Sequence, residues 1–248
     1  MQCLRFNTPL YFCPDSPQPS TYPEHAMSDS DDDDFVHPGW KGNIKREVDE
    51  DLKLKNLDVI RDWAVKLSFV KISTCYGSGF FVRIPDTPYD IIFTAAHNLQ
   101  YSNGVRTTKL QVHYTDPDIR VYDVPDQDVY VCEDYRGPNT PEADYGFIRI
   151  PRDTTKPRRG FGFSIPLAYE SDFRGSMYLS GFQDETPEGY PILGTGKCRD
   201  CHEKLLQYDI TTQPGLSGSG VWIAYKDELT AVAIQYALSC PCKPFQDD

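Results

Sequence analysis

The segment QPGLSGSGVW, residues 213–222, places three glycines around two serines and continues directly into an apolar run. A flexible linker would go on in glycine and serine, whereas Val221, Trp222 and Ile223 are β-branched and aromatic residues typical of a strand. Glycines on both sides of Ser217 indicate a tight turn with unusual dihedrals, whose main-chain amides can point outward. The segment therefore predicts a presented hydroxyl beside oxyanion donors, and its chemistry requires a base and a carboxylate elsewhere in the chain.

A candidate base and a candidate carboxylate both lie upstream of this turn. In IIFTAAHNL, residues 91–99, two small alanines directly before His97 leave space for a packed turn that presents the imidazole. In EADYGFIRI, residues 142–150, Asp144 stands at the head of an apolar strand, where a buried acid could orient an imidazole. A serine hydroxyl is a poor nucleophile that needs such a base and such an acid. We therefore interpret His97, Asp144 and Ser217 as candidate catalytic residues.

Each of the three motifs also has a purely structural explanation. A histidine can end a strand, an aspartate before a strand is commonly a turn or cap residue, and Gly-x-Ser-Gly is common in loops. Their occurrence in the order His, Asp, Ser within one β-rich segment favours the catalytic interpretation over the structural one.

The remainder of the folded region has the pattern of an all-β protein. Short apolar runs separated by turn residues are typical of a sandwich or barrels and not of alternating strands and helices. A Pro/Arg-rich connection near 151–164 divides the runs into two clusters, which predicts two antiparallel β-barrels. Apolar residues near a helical period predict one short helix within 47–66. The twelve predicted strands are 69–72, 79–84, 91–95, 110–114, 119–124, 129–131, 145–150, 177–181, 192–194, 205–210, 220–225 and 230–236.

Composition separates an N-terminal extension from this β-rich domain. Residues 14–34 contain four prolines and an acidic run but almost no large aliphatic residues, so they bury too little apolar surface to offset chain entropy. We predict a disordered extension over 1–46 and a domain over 47–248, with a first barrel at about 65–150 and a second at about 165–240. Residues 1–58 carry half of the net charge of −12.

Charge and hydropathy exclude several function classes. The acidic balance argues against nucleic acid, which requires a basic footprint. The sequence contains no apolar stretch of membrane-spanning length and no secretory signal, which slightly favours an intracellular location. We expect a monomer without a cofactor.

The motifs GSGFFVR, FTAAHNL, DYGFIRI and GLSGSGVW together resemble the trypsin-like (chymotrypsin-fold) serine peptidases, over about residues 65–240. The short spacings and the sequence 217–219, Ser-Gly-Ser, are most similar to the glutamyl endopeptidase branch. The resemblance implies two six-stranded barrels with the site in the cleft between them, and a polypeptide substrate. It also implies that Ser217 attacks the carbonyl, His97 transfers the proton, Asp144 orients His97, and the amides of Gly215 and Ser217 bind the oxyanion.

The resemblance also shows departures from the family pattern. Leu216 replaces the aspartate that pairs with a newly cut N-terminus in digestive relatives, which implies that this activation switch is missing. Counting back from the serine places Thr211 and Thr212 at the pocket floor, and Gln235 on the last strand where glutamyl relatives have a histidine. A neutral glutamine supplies no positive charge, so we expect a neutral, small or polar residue at P1.

The cysteines leave several alternatives open. Cys198 and Cys201 precede the serine motif, and Cys240 and Cys242 follow it. These four thiols could form two disulfides, bind Zn²⁺ or remain unlinked. Cys75 lies where digestive relatives have a half-cystine, but its usual partner position is Asn98, which predicts a free buried thiol. A non-enzymatic module that binds peptides or a partner protein through the same cleft is the alternative to a peptidase.

Overall fold

The computed structural model describes residues 2–5, 60–71, 73–116, 118–155, 158–163, 176–184, 191–202, 205–225 and 228–236. Within these ranges the chain is mostly β-sheet, with one short helix α1 (Ala96–Leu99), residues 60–63 also helical, and brief 3-10 turns. No helix of the described residues is long and apolar enough to cross a membrane.

The first sheet is a curled antiparallel arrangement of seven strands. They are β2 (Ala64–Val70), β3 (Thr74–Val82), β4 (Tyr89–Thr94), β5 (Thr108–Asp116), β6 (Asp118–Asp123), β7 (Val129–Val131) and β8 (Gly146–Pro151). The spatial order is β6-β5-β2-β3-β4-β8-β7. Its interior is filled by buried aliphatic and aromatic side chains, including Leu67, Ile92 and Ile148.

The second sheet also has seven strands, six of which close into a ring. They are β1 (Gln2–Arg5), β9 (Gly162–Phe163), β10 (Ser176–Gly181), β11 (Ile192–His202), β12 (Leu205–Tyr208), β13 (Gly220–Tyr225) and β14 (Glu228–Gln235). The order is β1-β12-β11-β10-β13-β14-β9, and a further pairing between β1 and β14 closes the ring. Two curled sheets of this kind confirm the predicted double β-barrel.

A shared core joins the two sheets and fixes the cleft between them. Phe80 and Phe93 of the first sheet and Tyr178 and Trp222 of the second belong to one buried cluster. The Trp222 ring is fully buried and stacks on Tyr178 with centroids 4.4 Å apart. Aromatic pairs in this geometry add about 0.5–1.5 kcal/mol beyond the burial of their area.

The alternating sequence predicted most of the strands, with differences at their ends. β7 and β13 begin and end at the predicted residues, whereas β11 continues from Ile192 to His202, eight residues beyond the predicted end. The added residues are mostly polar, and 195–200 alternate between exposed and half-buried or are exposed, so this part lacks the apolar signal of a half-buried strand.

The predicted helix over 47–66 is wrong at its end. Residues 60–63 are helical, but Ala64 already begins β2, which pairs along its length with β3. The pattern misled because Ala64 and Val65, which fit a helical period, are buried on a strand. Residues 47–59 lie outside the described residues.

The N-terminal extension contains a strand that the composition did not indicate. Four of the residues predicted to be disordered, Gln2–Arg5, form β1 and pair with β12 and β14. The structure corrects the prediction for these four residues, because main-chain pairing supplies order that local composition does not encode. The rest of 1–46 lies outside the described residues.

Candidate active site

His97 lies on α1, directly after the end of β4, and bonds to Asp144 through two atoms. Its main-chain amide donates to Asp144 Oδ1 at 2.9 Å, and its ring Nδ1 lies 2.7 Å from Asp144 Oδ2. Ala95 and Ala96 before it are fully buried, so the start of the short helix is packed into the protein. The structure thus brings the predicted base and carboxylate together across 47 residues of sequence.

Asp144 follows a 3-10 turn, Pro141–Ala143, and is almost fully buried. Tyr135 packs against Ala96 and Ala143 in the same small cluster. Burial, and secondarily the negative charge of Asp144, raises the pKa of the Tyr135 phenol above its usual range. Asp144 itself is 5% exposed, so its carboxylate is largely shielded from solvent as well.

The turn around Ser217 depends on two glycines. Gly215 and Gly218 both have φ of +90°, a conformation that other residues rarely adopt. A Cβ at Gly218 would collide with the carbonyl oxygen of Ser78 and the hydroxyl of Thr94. The glycines therefore allow both the left-handed backbone and the close approach of the turn to the first sheet.

Two main-chain amides of this turn are available to a ligand. Leu216 N and Ser219 N bond within the turn, and Gly218 N donates to Gln235 O at 2.7 Å. By contrast, the amides of Gly215 and Ser217 donate to no acceptor within the described part of the chain. They are the two amides that the sequence predicted for an oxyanion hole.

A buried polar network attaches the turn to the first sheet. Ser217 O accepts hydrogen bonds from Ser78 N at 2.7 Å and from Asn98 Nδ2 at 2.9 Å. Thr94 Oγ1 donates to Ser78 O and accepts from Asn98 Nδ2. The Ser78 hydroxyl donates to Gly215 O and accepts from Phe182 N, both at 2.8 Å.

The sequence interpretation assigned no role to this network. Ser78 and Thr94 lie within the motifs GSGFFVR and FTAAHNL, and Asn98 was recognised only as a replacement for a cysteine. The available signal was the clustering of small polar residues inside apolar strands, since such residues need partners when buried.

The structure distinguishes the two serines of the turn. Ser217 is partly exposed, and no hydrogen bond joins its hydroxyl to the His97 ring within the described residues; the two residues are connected through Asn98. Ser219 is fully buried, and its hydroxyl has no partner among the described residues. Only Ser217 therefore presents a hydroxyl toward solvent.

Residues 77–232, more than half of the chain, match the family described as "Trypsin-like peptidase domain". The chain belongs to this family. The matched segment contains His97, Asp144 and Ser217, and the fold is that of a serine protease. The narrower likeness to the glutamyl endopeptidase branch stays a prediction.

Solved structures share the trypsin-like fold at low sequence identity. The thermostable serine protease AL20 from an extremophilic microorganism is 12% identical, with 70% of this chain and 82% of that chain covered and a TM-score of 0.51. Protease Anisep from Arthrobacter nicotinovorans is 15% identical, with 71% and 84% covered and a TM-score of 0.51. The scabies mite inactivated protease paralogue S-I1 is 14% identical, with 75% and 87% covered and a TM-score of 0.50. No curated protein matches the chain.

The residues predicted to line a substrate pocket in this trypsin-like peptidase domain differ in environment. Thr211 is exposed, Thr212 is partly exposed, and Gln235 is 1% exposed. Gln235 Oε1 accepts a hydrogen bond from the Tyr208 hydroxyl, and Nε2 donates to Tyr236 O at 2.7 Å. The carboxamide of Gln235 is thus bonded inside the second sheet.

The cysteine alternatives are only partly covered by the structure. Cys75 and Cys198 are both partly exposed. The prediction that Cys75 is free is confirmed, but the prediction that it is buried is wrong. Cys240 and Cys242 lie outside the described residues, as does the side chain of Cys201. Within the described part of the chain no group of three or more metal-ligating side chains occurs.

Proposed function

We propose that this protein is a serine endopeptidase that cleaves polypeptides with Ser217 as nucleophile, His97 as general base and Asp144 as the orienting carboxylate. The observation that carries the proposal is the pair of hydrogen bonds from His97 N and Nδ1 to the two oxygens of Asp144. A carboxylate only accepts hydrogen bonds, so Nδ1 carries the proton and Nε2 remains as the basic atom.

In the proposed reaction, Ser217 Oγ attacks the scissile carbonyl carbon while His97 Nε2 takes the hydroxyl proton. The C–N bond then breaks as His97 gives that proton to the leaving amine, and an acyl ester on Ser217 remains. Water, deprotonated by the same ring, then attacks the ester carbon. The bond from that carbon to Ser217 Oγ breaks as His97 returns the proton to Oγ, and the carboxylic product leaves. Asp144 keeps the ring in one tautomer and stabilises the imidazolium in both steps.

The amides of Gly215 and Ser217 support the charged intermediate in this proposal. They have no acceptor within the described residues, so they are free to donate to an oxyanion. One such donor contributes about 2.7–4 kcal/mol of barrier lowering in acyl transfer. Gly215 has a φ of +90°, a backbone conformation that a residue with a side chain rarely adopts.

Activity is proposed not to require a newly cut N-terminus. Leu216 is 1% exposed and packs in the core of the second sheet with Val221 and Tyr208. A leucine cannot form the ion pair that an aspartate makes with a terminal amine, so the turn is held by packing and by the network around Ser78 and Asn98.

We still expect the enzyme to prefer a neutral residue at P1. The structure changes the part that Gln235 plays in this preference. Its Oε1 and one of its two Nε2 hydrogens are bonded to Tyr208 and Tyr236, and the residue is 1% exposed, so the carboxamide must move before it can donate to a substrate. A glutamate entering the pocket would lose hydration that only a cation or several donors can offset. We expect higher kcat/KM for P1 Gln or Ala than for P1 Glu.

A fluorophosphonate probe tests the proposal without a known substrate. The probe forms a phosphonyl ester with an activated serine and releases fluoride. We expect labelling of the full chain that disappears in Ser217→Ala and falls strongly in His97→Ala. Absence of labelling in well-folded wild-type protein would favour the non-enzymatic binding module instead.

Ser219→Ala is the matched control, since Ser219 lies two residues away on the same turn. Its hydroxyl is buried and has no partner among the described residues. Removing an unpaired buried hydroxyl is neutral or stabilising by up to about 1–3 kcal/mol. We expect Ser219→Ala to be labelled like the wild type; loss of labelling in this variant and not in Ser217→Ala would reassign the nucleophile.

A further inference from the structure

Strand β1 occupies a slot between two strands that lie more than 200 positions later in the sequence. Cys3 pairs with Leu206 of β12 on one side and with Gln235 of β14 on the other. Leu4 likewise pairs with Leu205 and Ile234, antiparallel on both sides. The six strands β1, β12, β11, β10, β13 and β14 form a closed ring, and β1 is the member that closes it.

The slot is adjacent to the candidate active site. Gln235, the partner of Cys3, accepts from Gly218 N and donates to Ser219 O, so its backbone holds the end of the Ser217 turn. β1 also has Cα atoms within 8 Å of the turn Pro141–Ala143, which leads directly into Asp144. One four-residue strand therefore lies against the segments that position both Ser217 and Asp144.

We infer that the slot between β12 and β14 is a binding surface for an extended strand, that Gln2–Arg5 is its occupant, and that its occupancy positions the Ser217 turn. This inference rests on the proposed peptidase function. Without β1, β12 and β14 would each have an unpaired row of amide and carbonyl groups. The Gln235 end of β14 would then be held from one side only, and with it the turn.

Recognition in this slot operates through the main chain. A strand added between two others satisfies its amides and carbonyls on both sides, which gives affinity with few demands on sequence. The connection from β1 to β2 comprises residues 6–63. Main-chain hydrogen bonds hold β1 in place, not its covalent connection to the domain. A separate peptide of the same sequence should therefore fill the slot.

The inferred effect of N-terminal cleavage is the reverse of activation. Separation of the N-terminal strand from the domain should lower activity, because the Ser217 turn loses its support. Misplacement of catalytic groups by about 1 Å costs on the order of a hundredfold in rate. N-terminal proteolysis would therefore switch this protein off.

The experiment compares the full chain with a variant that lacks residues 1–8, with fluorophosphonate labelling rate as the readout. We expect the deletion to slow labelling by about tenfold to a hundredfold. A synthetic peptide of residues 1–8 should restore the rate in a saturable manner, and the same peptide with Leu4→Pro should not. Proline lacks the amide that pairs with one of the two neighbouring strands. Equal or faster labelling of the deletion variant would overturn the inference.

A second measurement applies if the deletion variant does not fold or if the wild type is not labelled. Hydrogen exchange of full-length Leu4→Pro should show faster exchange in β12 and in the Gln235 end of β14 than the wild type, with the first sheet unchanged. Thr8→Pro, outside β1, is the control and should leave both regions as in the wild type. Unchanged exchange in β12 and β14 of Leu4→Pro would refute the slot. Absence of labelling in the wild type would refute only the peptidase function.

Discussion

The side-chain amide of Asn98 donates a 2.9 Å hydrogen bond to the carbonyl oxygen of Ser217, 119 residues later in the chain. Asn98 directly follows His97 on α1, so this bond connects the helix of the base to the turn of the nucleophile. Asn98 is 1% exposed, and its amide also donates to Thr94 Oγ1 at 3.0 Å. This buried carboxamide therefore helps to fix the relative position of His97 and Ser217, together with the bond from Ser78 N to the same oxygen.

Asn98→Ala should lower kcat more than it changes KM, because it loosens the two halves of the site without altering the pocket. We expect a loss in kcat of about ten- to a hundredfold. Thr94 Oγ1 and Ser217 O each lose one donor in this variant. The free energy of unfolding should therefore fall by about 1–3 kcal/mol. Steady-state kinetics and denaturant unfolding measure both quantities. Asn139→Ala, on an exposed turn, is the control and should change neither.

Asp144→Asn tests the orientation of the imidazole. An asparagine keeps the shape of the side chain and can still accept one hydrogen bond, but it no longer fixes the proton on His97 Nδ1. We expect kcat to fall by about 10³- to 10⁴-fold while the circular dichroism spectrum is retained. Asp126→Asn, at an exposed position, should behave as the wild type. Near-wild-type turnover of folded Asp144→Asn would remove this residue from the site.

Gly218→Ala and Gly104→Ala separate backbone strain from steric collision. Both glycines have positive φ, +90° and +83°, but a Cβ at Gly104 would meet open space whereas one at Gly218 would collide with Ser78 and Thr94. We expect Gly104→Ala to cost about 1 kcal/mol and Gly218→Ala about 3 kcal/mol or more with loss of activity. Thermal unfolding and probe labelling compare them. Equal effects of the two changes would show that the turn does not approach the first sheet as closely as described.

Ser78→Ala should affect both stability and catalysis. It leaves Gly215 O and Phe182 N without their buried partner, which costs about 1–3 kcal/mol. It also removes the hydrogen bond that holds the main chain at Gly215, whose amide is a proposed oxyanion donor. We therefore expect kcat to fall by about tenfold. Ser68→Ala, which removes a hydroxyl bonded to His113 on the first sheet, is the control: its stability should fall, but its kcat should not.

The sequence predicted the fold and the catalytic candidates because both are encoded locally. Alternation of apolar residues marks half-buried strands, and the motifs around His97 and Ser217 specify turns through neighbouring small residues. The pairing of His97 with Asp144 could be anticipated from the chemistry that a serine requires, without knowledge of the register between strands.

The remaining features depend on long-range geometry. Asn98 and Ser78 act through partners more than 100 residues away, and their local patterns resemble those of any small polar residue in a strand. Strand β1 is four residues long within an extension of polar composition, and both of its partners lie near the other end of the chain. Such pairings carry no local signal, so the sequence alone assigned these residues no part in the fold or site.

Peptide hydrolysis measured by mass spectrometry tests the central claim most directly. A library of unstructured peptides is incubated with the wild type, Ser217→Ala and Ser219→Ala, each checked for folding, and new peptide termini are counted over time. The account predicts cleavages in the wild type and in Ser219→Ala that disappear in Ser217→Ala. Cleavage by Ser217→Ala at the wild-type rate would contradict it, as would a folded wild type that produces no new termini from any peptide.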